Sequence, residues 1–201
     1  MVSSLKDDCN FKKPNFPKVS WVKLIWSPDY PPSKSLMVWR LMFGKLPIDD
    51  NLASRGCHLP SVCSLCHSNS ETSFHLFFEC CYVMHTWSWF ASIINKTFNF
   101  QSMQDVWDIC NNSWNPQCKT ILTTTIINIF NGVWFARNQL RFQNKKIPWK
   151  TSIATILSQM ALSGNLSKNK AYANISNFML LRKFNVTLHP PKSPQVNEVI
   201  W

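Results

Sequence analysis

The sequence predicts a mainly α-helical fold: a small zinc-knuckle region packed with helices, followed by a helical segment and an extended C-terminal tail. Three observations carry this reading. The 201 residues include only 4 Gly against 10 Trp and 14 Phe, few turn residues for a β-fold and much aromatic surface for helices to bury. Apolar residues recur at helical spacing in several segments. Finally, Cys63, Cys66, His75 and Cys80 fall within eighteen positions as C-x2-C-x8-H-x4-C, the donor set of a closed tetrahedral Zn²⁺ site.

Residues 1–19, broken by Lys12-Lys13-Pro14, read as an extended lead-in, and Trp21–Trp26 as a short aromatic segment stopped by Ser27-Pro28. Ser33 is placed to cap a helix over Lys34–Phe43, in which Leu36, Trp39, Arg40 and Phe43 share helical spacing and Gly44 supplies the stop. Asp49 and Asp50 open a short helix that runs to Arg55-Gly56, where their charge suits the helix dipole. Beyond the zinc loop, an apolar helix is expected over Tyr82–Asn95 and another near Met103–Cys110. The longest element is expected from Pro116, over Gln117–Gln143. Ile121, Leu122, Ile126, Ile129, Phe130, Val133 and Trp134 make it apolar on nearly every side, which predicts neighbours on several faces. The β-branched run Thr123–Ile127 leaves a strand as an alternative there. Pro148 starts a further helix over Trp149–Leu162, Ser167–Asn177 is polar, and the Pro-rich tail from Leu188 reads as a linker.

Within the zinc signature, Cys63 and Cys66 can chelate from one tight turn, while His75 and Cys80 complete the tetrahedron. A straight α-helix would set His75 and Cys80 about 140° apart around its axis, poor geometry for sharing an ion. The helix carrying His75 is therefore expected to end near Phe78, with Cys80 in a turn and a new helix after it. Cys81 is the rival for the fourth position, and ordinary buried thiols are the alternative to a metal site. One Zn²⁺ in a site without an open position serves folding rather than chemistry.

Charge points to a partner. The chain carries +11, and between Ile109 and Asn197 there is no Asp or Glu, whereas eleven Lys and Arg fall in that stretch. A field of one sign draws polyanions, so RNA or DNA held through phosphates is the expected partner; solvation of an apolar surface is the alternative. Arg137, Arg141 and Lys145 are four apart and would share a helical face, making them, with Lys146, the expected phosphate contacts. Arg137 could instead be a buried structural partner. No apolar run is long enough for a membrane span or placed as a signal peptide, so the expected setting is intracellular, nuclear or cytoplasmic. Eight cysteines there favour metal and free thiols over disulfides.

Trp21, Trp26, Pro32-Ser-Lys34, Trp39-Arg40, Gly44-Lys-Leu-Pro47, the Cys63-Ser-Leu-Cys66 pair, Glu71-Thr72, His75-Leu-Phe-Phe-Glu-Cys80 and Trp87 together resemble the zinc-binding region that follows the polymerase in plant non-LTR (LINE-type) reverse transcriptases. Val133-Trp134-Phe135-Ala136-Arg137-Asn138 is similar to a Trp-x-x-Arg-Asn segment found downstream in such polyproteins. The end, from Pro191, is similar to the linker ahead of an RNase H-like domain. The resemblance implies a zinc-binding domain over 20–95, a basic helical region over 100–180, and a linker over 181–201 toward an absent RNase H-like domain. It implies no enzyme. The Tyr/Phe-x-Asp-Asp tetrad of the polymerase is missing, and only Glu198 follows Asp108, too few carboxylates for two-metal chemistry. Two functions remain: a nucleic-acid-binding accessory module, or a structural piece that packs against polymerase or RNase H domains.

Overall fold

The computed structural model describes residues 20–191 apart from 58, 59, 112 and 173; the lead-in and the last ten residues lie outside the described part. Seven α-helices occur among these residues: α1 (Ser20–Ile25), α2 (Pro32–Met42), α3 (Asp49–Ala53), α4 (Cys81–Ile94), α5 (Pro116–Gln143), α6 (Trp149–Leu166) and α7 (Ile175–Lys183). A π-helical turn spans His75–Glu79 and a 3-10 turn spans Asp105–Cys110. No strand forms among the described residues, in keeping with the helical reading.

Helix α5 is the axis of the fold. Asn115 begins it, its side-chain oxygen accepting from the Cys118 N–H at 2.8 Å, and Pro116 stands where a missing N–H costs nothing. Asn144 ends it in the left-handed region at φ 50°, while the Lys145 N–H donates to the Gln139 carbonyl at 3.0 Å. The threonines that left a strand open are helical because Thr124 and Thr125 donate their hydroxyls to the carbonyls of Thr120 and Ile121, both at 2.8 Å. Bonded this way, a buried threonine keeps its polar group satisfied inside a helix. Helices α1, α2, α6 and α7, the π turn and the 3-10 turn all pack on α5, as a helix apolar on every side requires.

One core runs through the whole packing. Phe77 and Phe78 of the π turn meet Phe130 of α5 edge-on, with centroids at 5.5 and 5.9 Å, and Trp87 of α4 stacks on Phe78 at 5.7 Å. Trp107 joins Trp21 of α1 to the same Phe130. Such offset and edge-on aromatic pairs contribute about 0.5–1.5 kcal/mol each beyond the area they bury.

Several boundaries differ from expectation for identifiable reasons. Helix α2 starts at Pro32 with Pro31 as its cap residue; Ser33 lies inside the first turn and makes no capping bond. Gly44 and Gly56, at φ +61° and +87°, end α2 and the α3 turn as their positions suggest. The segment expected to be polar and then extended contains α7, capped by Asn174, whose side chain accepts from the Asn177 N–H at 3.2 Å. Helix α7 is held by Leu180 and Leu181, buried against the core. Gly164 of α6 lets Val186, just beyond α7, lie close: a Cβ there would sit 2.6 Å from a Val186 methyl.

Candidate metal centre

The knuckle begins with two backbone bonds. The Cys63 N–H donates to the Asn69 carbonyl at 2.7 Å, and the His67 N–H donates back to the Cys63 carbonyl at 2.8 Å, with His67 itself left-handed at φ 57°. This tight turn points Cys63 and Cys66 inward together. Thr72 then caps the next segment, its hydroxyl accepting from the His75 N–H at 3.0 Å.

The five-residue step from His75 to Cys80 is solved by the π turn. The Cys80 N–H reaches back to the His75 carbonyl at 2.7 Å, an i to i−5 bond, so Cys80 comes round above His75 rather than 140° away. Cys80 then leaves in an extended conformation, and α4 starts at Cys81. The wide turn leaves the Phe77 carbonyl to be satisfied by the Trp87 indole N–H, at 2.8 Å. A helix ending before Cys80 was legible in the spacing; the π geometry, which does the aligning, was not.

The ligand atoms of Cys63, Cys66, His75 and Cys80 lie within 4.8 Å of one another. The Cys63 and Cys80 sulfurs are 3.8 Å apart, and the Cys66 sulfur is 3.3 Å from His75 Nε2. Zn–S and Zn–N bonds of about 2.3 and 2.0 Å give tetrahedral edges of about 3.8 and 3.5 Å. The donor set, three thiolates and an imidazole, and its spacing therefore fit one zinc ion. Cys63, His75 and Cys80 are buried, and Cys66 is partly exposed. With Nε2 facing the cluster, His75 Nδ1 is left toward Glu79, at 3.9 Å. As a thiol pair, Cys63 and Cys80 share one proton: the hydrogen bond between them lowers the Cys63 pKa and, with burial, raises that of Cys80. Cys81 is exposed at the start of α4 and is no part of the cluster.

Between the two halves of the knuckle, Glu71 is fully buried, and its carboxylate reaches α5. Arg137 Nε donates to both Glu71 oxygens at 3.2 Å and its Nη2 to one of them; Arg141 Nη1 donates to Glu71 at 3.1 Å and to Asp49 of α3 at 2.7 Å. Trp134 and Phe142 flank the Arg137 guanidinium, 5.1 and 5.7 Å from its carbon. Arg137 is therefore the buried structural partner, not a surface phosphate contact, and Arg141, a quarter exposed, spends its donors in the same cluster. Their four-residue spacing does put them on one face, but that face looks inward at the zinc loop. Lys145 and Lys146, past the end of α5, are exposed. In the sequence Asp49 reads as a helix-start residue in preference to one of a metal-binding carboxylate pair with Asp50, and Glu71 as part of a motif. The signal that could have found the cluster was two arginines at i and i+4 inside an apolar helix, which need buried acids.

Residues 4–87 match the family model described as zinc-binding in reverse transcriptase, a span that includes all four ligands, Asp49 and Glu71. Neither the curated proteins nor the solved structures give a match. Over that span the chain is similar to a zinc-binding region, and within it the structure brings Cys63, Cys66, His75 and Cys80 together.

Proposed function

We propose that this chain is a non-catalytic accessory module of a plant LINE-type reverse transcriptase, in which a structural zinc fixes the first half and basic residues beyond α5 hold RNA or DNA by its phosphates. The observation that carries this reading is the cation-rich surface left after Arg137 and Arg141 are consumed. Lys145, Lys146, Lys150, Lys168, Lys170 and Arg182 are all exposed within the acid-free stretch. Phe142, 71% exposed beside Lys145 and Lys146, offers a face on which an unpaired base could stack. Phosphate contacts of this kind give low sequence specificity and strong salt dependence, and the reading places the protein inside the cell, nuclear or cytoplasmic.

The test is a salt series of single-stranded RNA and DNA binding by the zinc-loaded chain and by Lys145→Gln/Lys146→Gln/Lys150→Gln. The variant is expected to bind every sequence more weakly and to lose about one unit of salt slope per phosphate contact removed. Unchanged affinity and slope in a folded variant would refute this surface.

A second reading, a piece that packs against polymerase or RNase H domains, draws support from a different surface. Leu162, Leu166, Tyr172, Ile175, Phe178 and Met179, on and around the ends of α6 and α7, are large apolar side chains left exposed. Such a group suits a protein partner better than a phosphate backbone. Self-association without polyanion affinity would favour it.

A further inference from the structure

Lys34 stands in an unusual place for a lysine. From the first turn of α2 it reaches between α5 and α6, where its ammonium donates to Asn128 Oδ1 at 2.7 Å and to Gln159 Oε1 at 2.6 Å. Both partners are neutral amides, and no ion pair to Lys34 forms among the described residues. The elements that enclose it from the other side, α5 and α6, contain no Asp or Glu at all. A half-buried cation without a counter-charge is costly, and burial lowers its pKa accordingly.

The ammonium borders a pocket of about 410 Å³ between α5 and α6. Asn128, Asn131 and Thr151 lie along the wall with Lys34, while Phe135, Ile147 and Ile156 make the rest apolar. Gly132 lines the pocket, and a Cβ there would meet nothing within 4 Å. The volume lies within the range of small-molecule sites, roughly 300–1,000 Å³, and exceeds the needs of a bare inorganic anion.

We infer that this pocket binds a phosphate monoester of mononucleotide size, its phosphate on the Lys34 ammonium and its organic part against Phe135, Ile147 and Ile156. The anion supplies the charge that Asn128 and Gln159 cannot, and Lys34 keeps one donor hydrogen for it beyond the two the amides take. The ligand can be a free nucleotide or the phosphorylated end of a strand; the chemistry at Lys34 is the same. The site shares no residue with the Lys145 and Lys146 surface.

The test is calorimetric titration of the zinc-loaded full chain with adenosine monophosphate, adenosine, inorganic phosphate, and a short oligonucleotide with and without a 5′-phosphate. Adenosine monophosphate is expected to bind at least about tenfold more tightly than adenosine or inorganic phosphate. Lys34→Met should lose that binding. Because Lys34→Met could also disturb the α2–α5–α6 packing, Gln159→Glu is the decisive variant: it puts a carboxylate 2.6 Å from the ammonium, keeps the fold, and should reduce monophosphate binding by at least about tenfold. A 5′-phosphate that tightens oligonucleotide binding, with loss of that gain in Gln159→Glu, identifies a strand end as the source; equal oligonucleotide affinities with monophosphate binding intact identify the free nucleotide. Lys145→Gln/Lys146→Gln should leave monophosphate binding unchanged, so failure of the phosphate surface and failure of this pocket are separately visible. No binding of adenosine monophosphate at about 5 mM, or wild-type affinity in Gln159→Glu, would overturn the inference.

Discussion

Replacing Glu71 by Gln tests the joint between the zinc loop and α5. The substitution preserves size and leaves no cavity, but it removes the charge that faces two arginines. Glu71 is fully buried, and Arg137 is 1% exposed with three of its hydrogen bonds ending on Glu71. Breaking a buried pair by removing one partner costs about 3–5 kcal/mol. Here Asp49 remains 3.8 Å from Arg137 and Asn138 still accepts from it at 2.9 Å, so the expected loss is near the low end, about 3 kcal/mol. Urea unfolding of the zinc-loaded protein, followed by tryptophan fluorescence, measures it. Arg137→Met in the Glu71→Gln background should cost less than the two single changes summed, by about 2 kcal/mol, because the double variant no longer buries an unpaired charge. Added salt at 1 M should leave the loss intact, since buried pairs escape screening. A Glu71→Gln protein within about 0.5 kcal/mol of wild type, or an additive double variant, would refute the joint.

Cys63→Ser and Cys80→Ser should each lose stoichiometric zinc by metal analysis, while Cys81→Ser keeps it, because Cys81 faces solvent outside the cluster. Chelation of the metal should unfold the knuckle and the π turn, seen as lost helicity and cooperativity, since structural zinc contributes on the order of 10 kcal/mol to small sites. Burial pushes the Cys110 and Cys118 thiols up to about 11 and 12 from an ordinary 9.0, so above pH 9 the unfolded chain releases protons that the folded one retains. Stability should hold below that point and fall above it by about 1.4 kcal/mol per pH unit for each thiol, and Cys110→Ala/Cys118→Ala should flatten the alkaline limb of a denaturation series. Gly164→Ala should destabilise by about 1–3 kcal/mol in the same assay, because the new methyl meets Val186, and Val186→Ala should restore part of the loss.

How far the sequence revealed these features depended on how local their causes are. The four ligands were legible because chelation from a turn needs a short spacing, and the break after His75 was legible because a straight helix misaligns Cys80. Helix α5 could be read from its proline start and its all-round apolar content, although the β-branched run Thr123–Ile127 left a strand as an alternative; in the structure the Thr124 and Thr125 hydroxyls bond to carbonyls one turn back. Helix α7 was obscured because Asn174 and the residues before it look like any polar connection, and its two anchoring leucines act only through distant packing. Arg137 and Arg141 carried the largest ambiguity. A positive residue on a helix face belongs to phosphate or to a buried acid according to what lies opposite, and Glu71 lies sixty-six positions away.

The wiring of Glu71 and Asp49 into α5 bears on what happens if the chain is cut. A fragment ending at residue 95 would retain all four metal ligands and nearly everything the family match covers. It would also keep two buried carboxylates stripped of their arginines, and Phe77 and Phe78 with Phe130 gone from against them. Limited proteolysis should therefore find no stable early product corresponding to the zinc region, and an expressed 20–95 fragment should chelate the ion yet remain aggregation-prone. The metal ligands all lie in the knuckle, whereas the partners of its buried carboxylates and aromatic rings lie in α5.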